Sequence, residues 1–342
     1  MKRFEIIPVF MLLLSIITVS CSTDEVTPDG PRENCDDNKI LVLSTPFDGS
    51  NQATVSYNSF TINTLDPIAA TSEGTLSTTS NLTYQLTTNT SLYNQAMNIH
   101  GIIISREKKY LKFDLNNGTG QEYTFSDNVT APVLVNGNVY VIEITQQGYA
   151  NNGTDIHYEI KNFDMQNGTV GALLPISTVD RTFDNKSFFH VETVSSTTNG
   201  TDRVYFMSGT NLITVNIVNN TATHTDLYPS FSQNDWVAFY GIKYDASLGL
   251  IAIKKEQGSY DLVRINPITG AYTTLVNIPG NVNTEFYSVA YRACDFTYYL
   301  TTLDQPTNPV STKYYEFNLV NNTVINTQNF QEYAFGLELI PE

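Results

Sequence analysis

The sequence predicts an all-β fold, a six-bladed β-propeller of four-stranded antiparallel blades closed by N- and C-terminal strands that share one blade. Three observations predict it. Past residue 40 the apolar runs are short, β-branched or aromatic, and bounded by Asn, Gly, Asp and Thr, with no sustained helical period. An apolar strand ending in a large side chain and then Asp or Asn recurs at a constant interval. The last strand repeats the opening of a blade without the rest of it.

The recurring signature ends at Phe113-Asp114, Phe163-Asp164, Val215-Asn216, Ile265-Asn266 and Phe317-Asn318, each followed by a short polar turn, with a weaker copy at Ile62-Asn63. Successive copies lie 51, 50, 52, 50 and 52 residues apart. Four short antiparallel strands with their turns fill roughly fifty residues, so each unit is one blade and the signature marks the hairpin between its third and fourth strands. A β-helix has much shorter rungs. Blades five and six open with Phe239-Tyr240-Gly-Ile and Phe286-Tyr287-Ser-Val, and Ala334-Phe335-Gly-Leu repeats that opening. The first blade is therefore expected to take its innermost strand from the C-terminus and three strands from residues 40–43, 59–64 and 74–80, which leaves no unpaired blade in the ring.

The composition suits such a core. The 342 residues are 41% hydrophobic and 12% aromatic but only 15% charged, with a formal net charge of −16. No basic cluster stands ready to neutralise phosphates, so no nucleic-acid partner is expected, nor docking to anionic lipid through charge.

The first twenty residues read as an address. Lys2 and Arg3 precede an apolar run over residues 6–19, too short to span a bilayer and matched to the apolar region of a signal peptide. The run ends in Thr18-Val19-Ser20-Cys21, which resembles the lipobox of bacterial lipoproteins, although Thr18 stands where Leu is usual. That resemblance implies removal of the segment before Cys21 and lipidation of its thiol; a plain secretory signal is the alternative. Directly after it, Ser22-Thr23-Asp24-Glu25 resembles the acidic surface-export signal of Bacteroidetes lipoproteins, or serves only as a solvated tether. The expected organisation is residues 1–20 as signal peptide, 21–36 as lipidated acidic tether and 37–342 as propeller. The blade repeat is similar to the six-bladed propeller domains common among these lipoproteins, a resemblance that covers residues 37–342. It implies a lipid-anchored protein of the bacterial outer membrane, facing the periplasm or the exterior, and an architecture without a reaction.

Cys35 precedes the first predicted strand and Cys294 lies in the turn between the first two strands of blade six. In a closed ring both fall on one face of neighbouring blades, so a Cys35–Cys294 disulfide is expected in an oxidising compartment, against two independent thiols. His100, His157, His190 and His224 show no metal-ligand spacing, and no phosphate-cradling glycine motif opens a helix.

A ligand site on a propeller is expected around the channel, among the loops between blades at residues 178–187, 229–235, 280–285 and 326–332. Just inside them recur Phe189, Tyr240, Tyr287 and Phe335, which could stack a sugar or clamp a peptide, or simply pack between blades. Around them stand Arg181, Asp184, Lys186, His190, Asp235, Trp236, Glu285 and Glu332. Converging carboxylates could hold Ca²⁺ or act as an acid/base pair, or form only an acidic rim. Longer second-to-third-strand turns over residues 146–155 and 304–312 could extend the rim. No nucleophile, base and orienter can be read from the spacing, so no catalytic residue and no cofactor are assigned. The expected function is a non-enzymatic, lipid-anchored binding or scaffold module for an envelope protein or glycan. The alternative is a hydrolase or lyase with a carboxylate or Ca²⁺ site at the channel mouth.

Overall fold

A computed structural model describes residues 39–45, 55–63, 66–78, 91–150, 153–174, 181–183, 192–196, 202–228, 237–284, 286–305, 311–330 and 333–340. Among them there is no α-helix, and the strands follow one plan. The chain opens with β1 (Lys39–Thr45), β2 (Val55–Asn63) and β3 (Asp66–Thr78). Blade 2 holds β4 (Ser91–Asn94), β5 (Ile99–Ile104), β6 (Lys109–Asp114) and β7 (Thr119–Thr124). Blade 3 holds β8 (Val129–Val135), β9 (Asn138–Ala150), β10 (Gly153–Asp164) and β11 (Thr169–Leu173), with β12 (Arg181–Phe183) added beside β10. Blade 4 holds β13 (Glu192–Ser196), β14 (Arg203–Ser208), β15 (Asn211–Asn216) and β16 (Thr221–Asp226). Blade 5 holds β17 (Val237–Asp245), β18 (Gly249–Glu256), β19 (Ser259–Ile265) and β20 (Tyr272–Asn277). Blade 6 holds β21 (Tyr287–Arg292), β22 (Thr297–Gln305), β23 (Ser311–Asn318) and β24 (Thr323–Phe330).

The last strand, β25 (Tyr333–Ile340), pairs antiparallel with β1 and completes blade 1 in the order β25-β1-β2-β3. Hydrogen bonding joins the strands into five sheets, because blades 1 and 2 share one parallel pairing, Thr75 with Thr119. Divided there, the eight-stranded sheet gives two blades and the ring has six. The innermost strands β25, β4, β8, β13, β17 and β21 touch one another in that cyclic order, which closes the ring.

Strand character follows position. A second strand lies between neighbouring blades and has both faces covered, so β5 is buried along its whole length and reads as a continuous apolar run apart from His100 and Gly101. Outer strands have one covered face and alternate, as β24 does over residues 326–330.

The repeated signature is a turn built by its own Asp or Asn. In blade 5 the Asn266 Oδ1 accepts the backbone N–H of Ile268 at 2.9 Å and of Thr269 at 3.1 Å, and Gly270 then takes φ of +73°. Asp164 does the same for Gln166 and Asn167 before Gly168, and Asn318 for Val320 and Asn321 before Asn322. A short side-chain acceptor satisfies two turn N–H groups, and the left-handed residue that follows brings the chain back. The large residue before it, Phe113, Phe163, Val215, Ile265 or Phe317, is buried.

Two faces follow from this order. Turns between first and second and between third and fourth strands share one end of every blade, the lower face. Second-to-third turns and the connections between blades share the other, the upper face. Lys39, Asn63 and Ile340 lie side by side at the lower end of blade 1.

The stretch 146–155, expected as a turn, is largely strand. β9 and β10 continue their pairing to Ala150 and Gly153, and β12 pairs Arg181 with Ile156 and Phe183 with Thr154. Arg181 therefore belongs to an extended hairpin on the upper face.

Candidate functional site

The channel wall is made by the innermost strands, and three of them are bent at a left-handed residue. Ala131 in β8 has φ of +50°, Gly241 in β17 +63° and Gly336 in β25 +64°. At each the register with the second strand shifts. Such a bulge turns a peptide carbonyl out of the ladder, and the next blade supplies a donor at two of them. Tyr298 Oη donates to the Gly241 carbonyl at 2.5 Å, and His100 Nε2 donates to the Gly336 carbonyl at 3.0 Å. His100 is fully buried, and burial pushes its imidazole down to about 4 while the Gly336 carbonyl works the other way.

Glu338 is the one acid of the closing strand. It pairs with Leu41, and Lys243 holds the matching register on β17 opposite Ile251. Ser91 Oγ on β4 donates to Glu338 Oε1 at 2.7 Å. The residue as a whole is half-buried, yet its carboxyl is shielded enough that burial lifts it above the ordinary range. The charge of Lys243, Ser91 and the Tyr93 N–H oppose that shift. Blade 6 stands between β17 and β25 in the ring, so the Lys243 charge acts across the channel. This Ser91–Glu338 pair, with the Lys243 charge acting on it, is a charged feature of the described wall. Sequence reasoning passed over it; its signal was a lone acid in the apolar run Ala334-Phe-Gly-Leu-Glu338-Leu.

The aromatic residues expected at one level lie at two. Tyr240 and Phe335 face second-strand residues Ile253 and Leu43 at equivalent register, but Tyr287 faces Thr302, one position off, because β21 has no bulge. Tyr240 and Tyr287 meet edge to face at 5.9 Å, and the Tyr287 hydroxyl accepts the Gly241 N–H at 3.2 Å. Tyr287 is 3% and Phe335 6% exposed, each in an inter-blade core, and Tyr240 is half-buried. Phe189, His190, Trp236, Glu285 and Glu332, with Cys21 and Cys35, lie outside the described residues. Among the described residues no group of three His, Cys, Asp or Glu could hold a metal ion.

Cys294 is disulfide-bonded, to a partner outside the described residues. Its turn is fixed by Arg292, which grips Asp295 through Nε at 2.9 Å and Nη2 at 2.5 Å.

Comparison with solved structures gives the fold. The periplasmic gluconolactonase of Pseudomonas aeruginosa superimposes with a TM-score of 0.51 at 11% identity, over 88% of this chain and 99% of that one. A protein of unknown function from Bacteroides caccae gives 0.50 at 11% identity, over 86% and 98%. A calcium-binding regucalcin from Agrobacterium tumefaciens gives 0.41 at 9% identity, over 72% and 75%. No protein-family profile matches the chain, and no curated protein matches it in sequence. The first two likenesses are ones of fold alone, in keeping with the β-propeller described above, and the chemistry must be read from this chain's own residues.

Proposed function

We propose that the protein is a lipid-anchored propeller of the bacterial cell envelope that binds a protein or glycan partner on its upper face. Cys21 carries the lipid, residues 21–36 are the tether, and the ring is held in the outer membrane. The observation that carries this reading is the placing of both ends of the described chain, with Cys294, on the lower face. A tether leaving that face directs the opposite one, with its inter-blade connections, toward a partner. Cys294 pairs with Cys35, since Cys21 is the one other cysteine in the sequence and its thiol takes the lipid. Mass spectrometry of unreduced peptides is expected to return a Cys35–Cys294 link; a Cys21–Cys294 link would sink both the pairing and the lipid.

A hydrolase or lyase is the second reading, favoured by the raised carboxyl of Glu338 facing Lys243 across the channel. The first reading is supported by the engagement of that carboxyl with Ser91 and the Tyr93 N–H, as in a group that fixes a wall. Two measurements separate them: capture of partners from envelope fractions with the lipidated chain, and a thermal-shift screen with oligosaccharides and Ca²⁺. Retention of a partner or an oligosaccharide shift is expected. No retention, with a lactone- or glycoside-cleaving activity abolished by Glu338→Gln, would establish the enzyme instead.

A further inference from the structure

Among the described residues, most of the large apolar side chains shown to water lie at or beside lower-face turns. Of the seven large hydrophobic side chains exposed among the described residues, Leu173 alone lies at an upper strand end. Met97 is in a lower-face turn, and Val324 and Ile325 directly follow one. The other three occupy a single place in the repeat, two residues after the turn-forming Asn of blades 4, 5 and 6: Val218 at 60% exposure, Ile268 at 81% and Val320 at 42%.

The fold makes no demand for an apolar residue there. The matching places in blades 2 and 3 are Asn116 and Gln166, and the turn works through the backbone N–H, as at Ile268 and Val320. Each side chain is thus held outward on a turn fixed by its own Asn, and keeps between 42% and 81% of its surface exposed. Residues 216–221, 266–271 and 318–323 also contain no charged side chain, in a protein of net charge −16. Three consecutive blades have the same uncharged turn and the same outward apolar group.

We infer that the lower-face turns of blades 4, 5 and 6 rest on the bilayer in which the protein is anchored. This inference depends on lipidation of Cys21 and adds which way up the ring lies. The occupant follows from where the chain begins: β1 starts at Lys39 on this face, and the seventeen residues between Cys21 and Lys39 reach at most about 60 Å when fully extended. The anchor keeps this face near the membrane, so a few apolar contacts suffice, since tethering makes them intramolecular. Apolar groups spaced along a rim suit a flat surface, and the absence of charge from these three turns lessens the repulsion the acidic ring would otherwise feel.

The test places a tryptophan on each face of the full lipidated chain, Ile268→Trp below and Ser259→Trp above, in phosphatidylcholine vesicles whose acyl chains carry bromine near the headgroup. Emission is read relative to the parent chain, whose Trp236 is common to all. The expected result is flotation of both variants with the vesicles and a drop of about twofold or more in the Ile268→Trp emission alone, as contact within about 5–10 Å of the headgroup boundary produces. Flotation without quenching at Ile268→Trp, or equal quenching at Ser259→Trp, overturns the orientation and leaves the anchor standing. Absence of flotation removes the anchor and the orientation together.

Discussion

The seams that join blade 2 to blade 1 and blade 6 to blade 5 are built to one design with different parts. Both use the second-strand residue that faces the blade's large anchor residue, His100 opposite Phe113 and Tyr298 opposite Phe317. Both reach the carbonyl of a left-handed glycine, Gly336 or Gly241, in the innermost strand of the preceding blade. The bulge creates the need for a donor, and any buried donor of sufficient reach meets it. What differs is the behaviour of that donor with pH and the room around the glycine.

The largest expected effect comes from the glycines. A Cβ on Gly241 would collide with the Tyr298 hydroxyl and meet Val289 Cγ1 at 3.0 Å, whereas on Gly336 the nearest atom is the flexible end of Ile102 at 2.9 Å. Gly241→Val is expected to cost about 4 kcal/mol or prevent folding, and Gly336→Val about 2–3 kcal/mol. Denaturant midpoints check the order; equal losses would mean that backbone strain alone sets the cost.

Acid separates the seams next. His100 titrates near 4 in the folded ring and near 6.5 unfolded, so the unfolded chain binds the extra proton first. Stability from this seam is complete above about pH 6.5 and falls by roughly 2–3 kcal/mol as pH drops toward 4. Glu338, on the same strand as Gly336, has a raised carboxyl and contributes with the opposite sign. The comparison is therefore between parent and His100→Gln, which should lose this acid slope, while Tyr298→Phe should keep it. A parallel pH dependence of parent and His100→Gln would break the assignment.

Tyr298→Phe leaves the Gly241 carbonyl without its donor and is expected to cost about 1–2 kcal/mol, independent of pH from 4 to 8. The smallest effect is at the turns, where Asn266→Ala removes an acceptor from two exposed N–H groups for about 1 kcal/mol. Thermal midpoints read both, and a loss at Asn266→Ala larger than at Tyr298→Phe would reverse the ranking.

Much of this plan was legible in the sequence because its determinants are local. A hairpin needs its Asn or Asp, its left-handed residue and its buried large residue within a few positions, so Phe113-Asp114 through Phe317-Asn318 could be counted. Closure was legible as well, since Ala334-Phe335-Gly-Leu copies Phe239-Tyr240-Gly-Ile. The seams were not, because His100 and Gly336 are 236 positions apart and their bond depends on which blade follows which. The candidate site suffered most. Tyr287 falls one register off Tyr240 and Phe335 through a missing bulge, and Glu338 acquires meaning only when β4 brings Ser91 to it. Phe189, His190, Trp236, Glu285 and Glu332 lie outside the described residues.

The strand that completes the ring, β25, comes after all the other described strands in chain order, yet occupies the innermost place in the first blade. Until it arrives, β1 has an open edge and His100 has no Gly336 to hold. The ring therefore cannot close blade by blade from its N-terminal side, because closure waits for β25. Without β25 the blades form only an open arc, which becomes a ring in one late step.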